Sequence, residues 1–202
     1  MRSFWTEPFL WIHLAGIAVL PLTLQATWLG LAVGEPIPFF WLEFLLLAAV
    51  GIVPITLMQL RRPFDIFSLL LVAVRPEALT PRQQQILSLF TAGKQRLLTA
   101  VGVLIMLVIL WQIYRVAPLA AVAASSLPQV RLLGLMIAAV AFLLSNLFIQ
   151  VPLSVLGVLL TGEQVFAAAE PLSPDQIRQK FIIPGFRVNR ILPASVTNST
   201  ES

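Results

Sequence analysis

Two ionisable side chains, His13 and Glu43, lie inside long apolar runs of the sequence, where an ionisable group indicates a functional site by default. His13 could serve as an axial ligand to the metal of a tetrapyrrole, or it could hydrogen-bond a neighbouring residue. Glu43 lies only about five residues from the end of its run, so we expect it at a shallow depth and close to water. The two residues fall at opposite ends of antiparallel helices, and we therefore expect no pair between them.

A polar stripe runs along the last apolar segment. Asn146, Gln150 and Ser154 follow one another at intervals of four residues, which places them on one face of a helix. In membranes such stripes hydrogen-bond neighbouring helices, typically for about 0.6–2 kcal/mol each. Helix packing is the simpler interpretation, because a transport pathway would need converging polar groups near the bilayer centre and interrupted helices.

The patterns of common catalytic and metal sites do not occur in the sequence. Gly93-Lys94 is followed by Gln95, and Ser88 stands where a phosphate-binding loop needs its first glycine. The sequence lacks a nucleophile elbow and a histidine cluster. It has no cysteine and one histidine, which excludes thiolate zinc sites, iron–sulfur clusters and a bis-histidine haem within one chain. We therefore expect no enzyme, no catalytic residue, no metal site and no cofactor.

The elements that hold these residues are predicted to be membrane helices. At 58% hydrophobic and 11% charged residues, the chain is far more apolar than a soluble domain, in which roughly a quarter of residues are charged. Four apolar segments reach the roughly 20 residues that a spanning helix needs. They cover residues 9–33, 39–60, 97–116 and 132–160. The first is too long for the apolar core of a secretory signal, so we expect it to be retained.

The predicted fold class is therefore all-α. The sequence predicts a polytopic membrane protein whose four transmembrane helices form two antiparallel hairpins within a single membrane domain, residues 1–190. The first hairpin is predicted from the connection 34–38, which is too short for anything except a tight turn.

Basic residues are distributed unevenly among the segments that join these runs. Six of the thirteen lie in the connector 61–96, and the two terminal segments hold five more. Only Arg115 and Arg131 fall on the other side. By the positive-inside rule, this split predicts a cytoplasmic connector and cytoplasmic amino and carboxyl termini. The same excess explains the net charge of +4, so we expect no nucleic-acid partner.

The first part of the connector is a basic hinge, Arg61 and Arg62, followed by an apolar piece. Residues 66–74 are apolar around the whole helical circumference apart from Ser68, yet they reach only about half the length of a membrane span. We expect this piece to be buried against the bundle, as a re-entrant or packed segment.

A short capped helix is predicted in the second part of the connector. Thr80-Pro81 is typical of an N-cap followed by proline at the first helical position, with Gly93 as the stop. Its apolar face predicts an interfacial helix that lies on the membrane surface. The predicted interaction surface comprises Arg61, Arg62, Arg82, Ile86, Leu89 and Phe90.

The carboxy-terminal segment resembles this part of the connector. The run Glu170-Pro171-Leu172-Ser173-Pro174-Asp175-Gln176 echoes Glu77-Ala78-Leu79-Thr80-Pro81-Arg82-Gln83. It predicts a second cytoplasmic capped helix at about residues 173–183, which Pro184-Gly185 ends. Residues 191–202 are predicted to be a disordered tail.

Two stretches have a distinctive pattern: Arg2-Ser3-Phe4 with Glu7-Pro8-Phe9-Leu10-Trp11-Ile12-His13-Leu14-Ala15-Gly16, and Arg62-Pro63-Phe64 with Ile66-Phe67-Ser68. They resemble the corresponding stretches of a cyanobacterial family called low-complexity tail membrane proteins. The resemblance covers about residues 2–190. It implies a cyanobacterial source and a thylakoid or plasma membrane location, and no established activity comes with it. The tail after Arg190 is short, which departs from the family name.

Two functional hypotheses follow. The first is a non-enzymatic accessory, assembly or scaffold factor that contacts the lipid bilayer and a larger membrane protein complex, or forms a homo-oligomer. The alternative is a small oligomeric transporter or channel, which would use the intramembrane polar residues His13, Glu43, Asn146 and Gln150.

Overall fold

A computed structural model of the chain describes residues 3–69 and 71–192. Its longest elements are four helices that are long and apolar enough to cross a membrane. They cover Pro8–Leu31, Phe40–Arg61, Gly93–Ala124 and Arg131–Leu159. The prediction of an all-α polytopic membrane protein is confirmed. The predictions for Arg2 and for residues 193–202 of the tail lie outside the described residues.

Shorter elements complete the described part of the chain. In chain order the α-helices are α1 (Pro8–Ala15), α2 (Leu20–Leu31), α3 (Phe40–Arg61), α4 (Pro81–Phe90), α5 (Gly93–Val116), α6 (Ala121–Ala124), α7 (Arg131–Leu159), α8 (Glu163–Ala167) and α9 (Pro174–Lys180). The strands are β1 (Ser68–Leu69), β2 (Val72–Val74) and β3 (Phe186–Val188). Single 3₁₀ turns lie at Ser3–Thr6, Gly16–Val19, Pro76–Ala78 and Ala117–Ala120.

The first membrane span is interrupted by the 3₁₀ turn between α1 and α2. Pro21 has no backbone N–H, so it cannot donate to the Ile17 carbonyl four residues earlier. That carbonyl instead accepts a hydrogen bond from the backbone N–H of Leu20, three residues on, which is the 3₁₀ pattern. The helix therefore tightens for one turn before α2 continues it.

Helix α7 is the centre of the bundle. Within its most apolar window 39% of the residues are buried, against 11–22% in the other three spans. It packs along α1, α2, α3 and α5. Helices α2 and α3 make their main contacts with α7 and not with each other. The prediction that they form a tightly packed hairpin, made from the short connection between them, is therefore wrong.

Small residues bring the backbones of α7 and its neighbours together. A Cβ on Gly30 of α2 would lie 2.7 Å from the Gly134 carbonyl oxygen of α7, and a Cβ on Gly134 would lie 2.5 Å from the Gly30 carbonyl oxygen. On α3, the absent side chain of Gly51 leaves room for the Phe142 ring. Membrane helices associate by such close packing because lipid provides no hydrophobic driving force between them.

The connector and the carboxy-terminal segment fold together into one layer at an end of the bundle, which we call the cap (residues 62–69, 71–92 and 160–192). A hydrophobic core, which we call the cap core, lies between the cap and the adjoining ends of α1 and α7. Its fully buried members include Phe4, Leu10, Ile66, Phe67, Ile86, Leu87, Ile177 and Phe181.

A three-stranded sheet joins the two parts of the cap. Strand β2 pairs antiparallel with β1 and parallel with β3, with Ala73 opposite Arg187. Gly185 precedes β3 at φ +74°, and a Cβ there would collide with the Leu71 carbonyl group. A glycine is required at this position for both reasons.

Residues 66–74 are expected from the sequence to be buried against the bundle as a re-entrant or packed segment. Ile66 and Phe67 are buried in the cap core, as expected for a packed segment. The segment contains strands β1 and β2, which pair antiparallel and were not predicted from the sequence. Its strand partner β3 lies more than a hundred residues further along the chain, so local periodicity cannot reveal the pairing.

Helix α4, the first of the two capped helices, begins at the predicted cap. Thr80 Oγ1 accepts from Gln83 N at 3.3 Å, and Gln83 Oε1 accepts from Thr80 N at 3.1 Å. Ser173 and Gln176 form the same capping box on α9. Gly93 does not end α4, which stops at Phe90; it begins α5 instead.

The apolar face of α4 was predicted to lie on the membrane surface. Ile86, Leu89 and Phe90 are instead 0–4% exposed and lie in the cap core, so they do not form an interaction surface. The end of α7 covers this face, together with other segments of the cap.

Candidate functional site

A buried ion pair lies at the end of the bundle opposite the cap, which we call the turn end (residues 32–39 and 117–130). Arg131 is the first residue of α7, and its guanidinium donates to both carboxylate oxygens of Glu43, through Nε at 2.7 Å and through Nη2. Tyr114 Oη donates to Glu43 Oε2 at 2.9 Å, and the backbone N–H of Ile37 donates to Oε1 at 2.9 Å. One carboxylate thereby connects three helices and the first turn.

The carboxylate of Glu43 is completely buried, whereas we expected it to lie close to water. Arg131 also donates from Nη1 to the carbonyls of Leu31 and Val33, at 2.8 and 2.9 Å. Every oxygen of the carboxylate and most donors of the guanidinium are therefore satisfied within the protein, which a buried ion pair requires. A cavity of about 650 Å³ lies beside the pair, with Tyr114 and Arg131 in its wall.

A second set of polar residues lies in the interior, between α5 and α7. Gln95 Nε2 donates to the Ser154 carbonyl at 3.2 Å, and Gln150 Nε2 donates in the opposite direction to the Thr99 carbonyl at 3.4 Å. Each amide lies against a glycine of the opposite helix, Gln150 against Gly102 and Gln95 against Gly157. We call this reciprocal arrangement the glutamine clasp (Gln95, Gly102, Gln150 and Gly157).

Asn146 extends this polar interior toward α3. Its Nδ2 donates to the carbonyls of Gly51 and Ile52, at 3.1 and 3.2 Å. The oxygen atoms of the Gln95, Asn146 and Gln150 amides have no hydrogen-bond partner among the described residues, although all three are buried. Asn146 and Gln150 of the predicted stripe on α7 thus hydrogen-bond the neighbouring helices, and each leaves its amide oxygen unused, as does Gln95 on α5.

His13 lies at the cap end of the bundle, in α1. Its Nδ1 is 2.8 Å from the Phe9 carbonyl oxygen, and its ring lies 5.9 Å from the ring of Phe64. A carbonyl oxygen can only accept, so Nδ1 carries the proton of this hydrogen bond. The ring is partly exposed, and Glu43 belongs to the opposite end of the bundle. The prediction of a tetrapyrrole ligand stays a prediction.

Basic side chains cover the outside of the cap end. Ten are exposed: Arg61, Arg62, Arg75, Arg82, Lys94, Arg96, Arg178, Lys180, Arg187 and Arg190. The exposed acidic residues at this end, among those described, are Glu77, Glu163, Glu170 and Asp175. The cap end is therefore strongly positive, and the three arginines of the predicted interaction surface, Arg61, Arg62 and Arg82, are part of it.

One buried acid lies beneath this basic surface. Asp65 Oδ1 accepts from the Phe67 backbone N–H at 2.9 Å, while Oδ2 has no partner among the described residues. Burial raises the pKa of the Asp65 carboxyl to about 6 from its ordinary value of 3.8, and the Phe67 hydrogen bond offsets only part of that rise.

Sequence reasoning missed several of these residues. From the sequence, Arg131 is predicted to be a loop charge, although its position immediately before the fourth apolar run indicates that it could turn inward. Gln95 was placed outside the third span, which begins at Gly93. Tyr114 and Asp65 gave no signal, because only the tertiary structure buries them.

This protein belongs to the class of integral membrane proteins with four helical spans. The helical bundle, its apolar exterior and its buried ion pair are the features that place it in this class. The chain belongs to the low-complexity tail membrane protein-like family, which matches residues 6–193. The resemblance found in the sequence is thereby confirmed at the level of the family. No match was found among curated proteins or among solved structures.

Proposed function

We propose that this protein is a non-enzymatic accessory or assembly factor that holds part of a larger membrane protein complex through its cap. No catalytic step is assigned to it. The observation that carries the proposal is the cap itself. Two segments that are far apart in the sequence fold onto α7 around one core. Seven exposed basic residues lie on these segments, and Arg61, Lys94 and Arg96 at the adjoining ends of α3 and α5 bring the number at the cap end to ten.

Such a surface suits acidic partners and anionic lipid headgroups. A rigid cap loses little conformational entropy when it binds, because its backbone is already ordered by its own core and sheet. Charge complementarity then provides attraction and orientation, while the apolar bundle fixes the cap at the membrane.

The test is native purification from the source membrane in mild detergent, followed by identification of co-purifying proteins. Arg61, Arg75 and Arg96 are exposed, and their side chains donate no hydrogen bond to any described residue, so Arg61→Gln, Arg75→Gln and Arg96→Gln can be combined without disturbing the fold. We expect the triple variant to lose its partner. The matched control replaces the same residues by lysine, which keeps the charge.

Two results would refute the proposal. One is a wild-type protein that purifies alone while every membrane complex stays intact in a deletion strain. The other is partner binding that survives complete neutralisation of the three arginines.

A second candidate function is a small oligomeric transporter or channel. It is favoured by the three unused amide oxygens of Gln95, Asn146 and Gln150 in the interior, because such oxygens can replace water around a permeating ion or hold water molecules. The test is flux into liposomes that contain the purified protein. We expect flux to fall when Glu43, Asn146 and Gln150 are replaced together; unchanged flux would refute this candidate.

The proposal includes a membrane and an orientation. The excess of basic residues at the cap end supports a cytoplasmic cap by the positive-inside rule, with both termini on that side. A cyanobacterial thylakoid or plasma membrane is proposed from the resemblance in sequence. Fractionation of a cyanobacterium that carries the gene, with detection by antibody in the separated membranes, tests the location.

A further inference from the structure

Three arginines from different elements converge on a small cavity in the cap. The cavity measures about 220 Å³ and is lined by Arg62, Arg178, Phe181, Ile182, Ile183 and Arg187. Arg62 follows α3, Arg178 belongs to α9 and Arg187 lies in β3. The parallel pairing of β2 with β3 and the bridge between Phe64 and Ile182 bring these segments together.

The three arginines differ in whether an acidic side chain pairs with them. Arg178 pairs with Glu77 and with Asp175. Arg62 Nη2 donates to the carbonyls of Arg178 and Phe181, at 2.6 and 2.9 Å, which fixes the guanidinium at the end of α9. No acidic side chain among the described residues pairs with Arg62 or Arg187. Two uncompensated positive charges therefore face one cavity.

We propose that this cavity binds a phosphate group. A planar carboxylate is saturated by one guanidinium, whereas a tetrahedral phosphate has enough oxygens to accept hydrogen bonds from several guanidinium groups that approach from different directions. Arg62 has its Nε and Nη1 donors available, and the Arg187 side chain makes no hydrogen bond within the described residues. The two free charges match the charge of one phosphate.

The phosphate group in this cavity could come from a lipid or from a soluble compound. Arg62 directly follows the membrane helix α3, so the cavity lies near the depth of lipid headgroups, and a phospholipid could supply the phosphate. The cavity is also open to solvent, so a soluble phosphate compound could supply it. This inference concerns the chain alone and does not depend on the proposed protein partner.

The experiment uses the purified full-length protein in nanodiscs. In discs of phosphatidylcholine, inorganic phosphate is titrated and followed by calorimetry. In discs that also contain phosphatidylglycerol, the lipid retained by the protein is measured by native mass spectrometry. The test variant is Arg187→Gln, whose fold is checked by circular dichroism. The control is Arg96→Gln, an exposed arginine at the same end that does not line the cavity.

We expect Arg187→Gln to weaken binding of one probe at least about tenfold, which corresponds to about 1.4 kcal/mol, while Arg96→Gln leaves binding unchanged. Selective loss of inorganic phosphate identifies a soluble phosphate site, and selective loss of phosphatidylglycerol identifies a headgroup site. Binding of neither probe to the wild type, or equal losses in the two variants, would overturn the inference. A missing protein partner in the purification described above would not affect it.

Discussion

At the scale of single residues, the structure concentrates its charge chemistry at two buried carboxylates. Glu43 is ionised against Arg131 and accepts two further hydrogen bonds. Asp65 has no positive partner among the described residues and leaves one oxygen unpaired. The same functional group is therefore expected to stabilise the fold at one end of the bundle and to destabilise it, when ionised, at the other.

Glu43→Gln is expected to destabilise the protein by about 3 kcal/mol, because removal of one partner leaves the guanidinium of Arg131 without a counter-charge in a buried site. The free energy of unfolding in mixed micelles measures this. Glu35→Gln, an exposed acid at the same end, is the control and should have little effect. A loss below about 1 kcal/mol for Glu43→Gln would mean that the pair contributes little.

Asp65→Asn is expected to remove a pH dependence of stability. The pKa of Asp65 in the folded protein is about 6, above its ordinary 3.8, so the folded state holds the proton more tightly than the unfolded state does. The resulting stabilisation is complete below pH 3.8 and is lost as the pH rises through 6, a change of about 3 kcal/mol. The variant should be more stable than the wild type at pH 7.

Unfolding measured at several values between pH 4 and pH 7 tests this prediction. Asp175→Asn, at an exposed acid of α9, is the control and should keep the pH dependence of the wild type. An unchanged pH dependence in Asp65→Asn would show that another group is responsible.

At the scale of elements, α7 packs against its neighbours at glycine residues, where the missing side chain lets the other helix come close. At the crossing of α2 and α7, a Cβ on Gly30 or on Gly134 would meet a backbone atom of the other helix. The glutamine clasp does the same for α5 and α7, where a glycine on one helix makes room for an amide of the other. Both features depend on which helix lies opposite, which a single-sequence pattern does not contain.

Gly134→Ala is expected to destabilise the protein by about 2 kcal/mol, because its Cβ would meet the Gly30 carbonyl oxygen and the helices would have to move apart. Thermal unfolding in detergent measures the effect. Gly162→Ala is the matched control, since a Cβ there meets nothing within 4 Å. Equal midpoints for the two variants would exclude a close α2–α7 crossing.

The cap core gives a prediction for α4. Ile86→Ala and Phe90→Ala are each expected to cost about 2–5 kcal/mol, because both side chains are buried and their removal leaves a cavity. Hydrogen exchange should increase across both cap segments together. Leu71→Ala is the control, as that side chain is 68% exposed. Faster exchange confined to α4 would argue against a shared core.

At the scale of the whole molecule, the described part of the chain is a bundle with an apolar exterior and a basic end. Large apolar side chains such as Leu22, Leu104 and Leu132 are more than 60% exposed on three different spans, as expected where lipid is the solvent. The exposed charge is concentrated in the cap. The molecule therefore has one surface for lipid and another for polar partners.

The proposed orientation can be tested directly because the chain has no cysteine. A single cysteine at Lys180 in the cap should be protected from a membrane-impermeant maleimide in intact cells and labelled after lysis. For protein in the plasma membrane, Glu35→Cys at the turn end should be labelled in intact cells. The reverse pattern would place the cap outside the cytoplasm.

The spans, the charge asymmetry and the caps of two short helices could all be predicted from the amino-acid sequence. Each of these depends on hydrophobicity, charge or hydrogen bonds within a few residues, as in Thr80 with Gln83. Three features depend on the tertiary structure: Arg131 turns inward to Glu43, β2 (Val72–Val74) pairs with β3, and the apolar face of α4 is buried. The partners lie in distant segments, as with Arg131 and Glu43, which are 88 residues apart, and the free energy of these features comes from partners that no local pattern identifies.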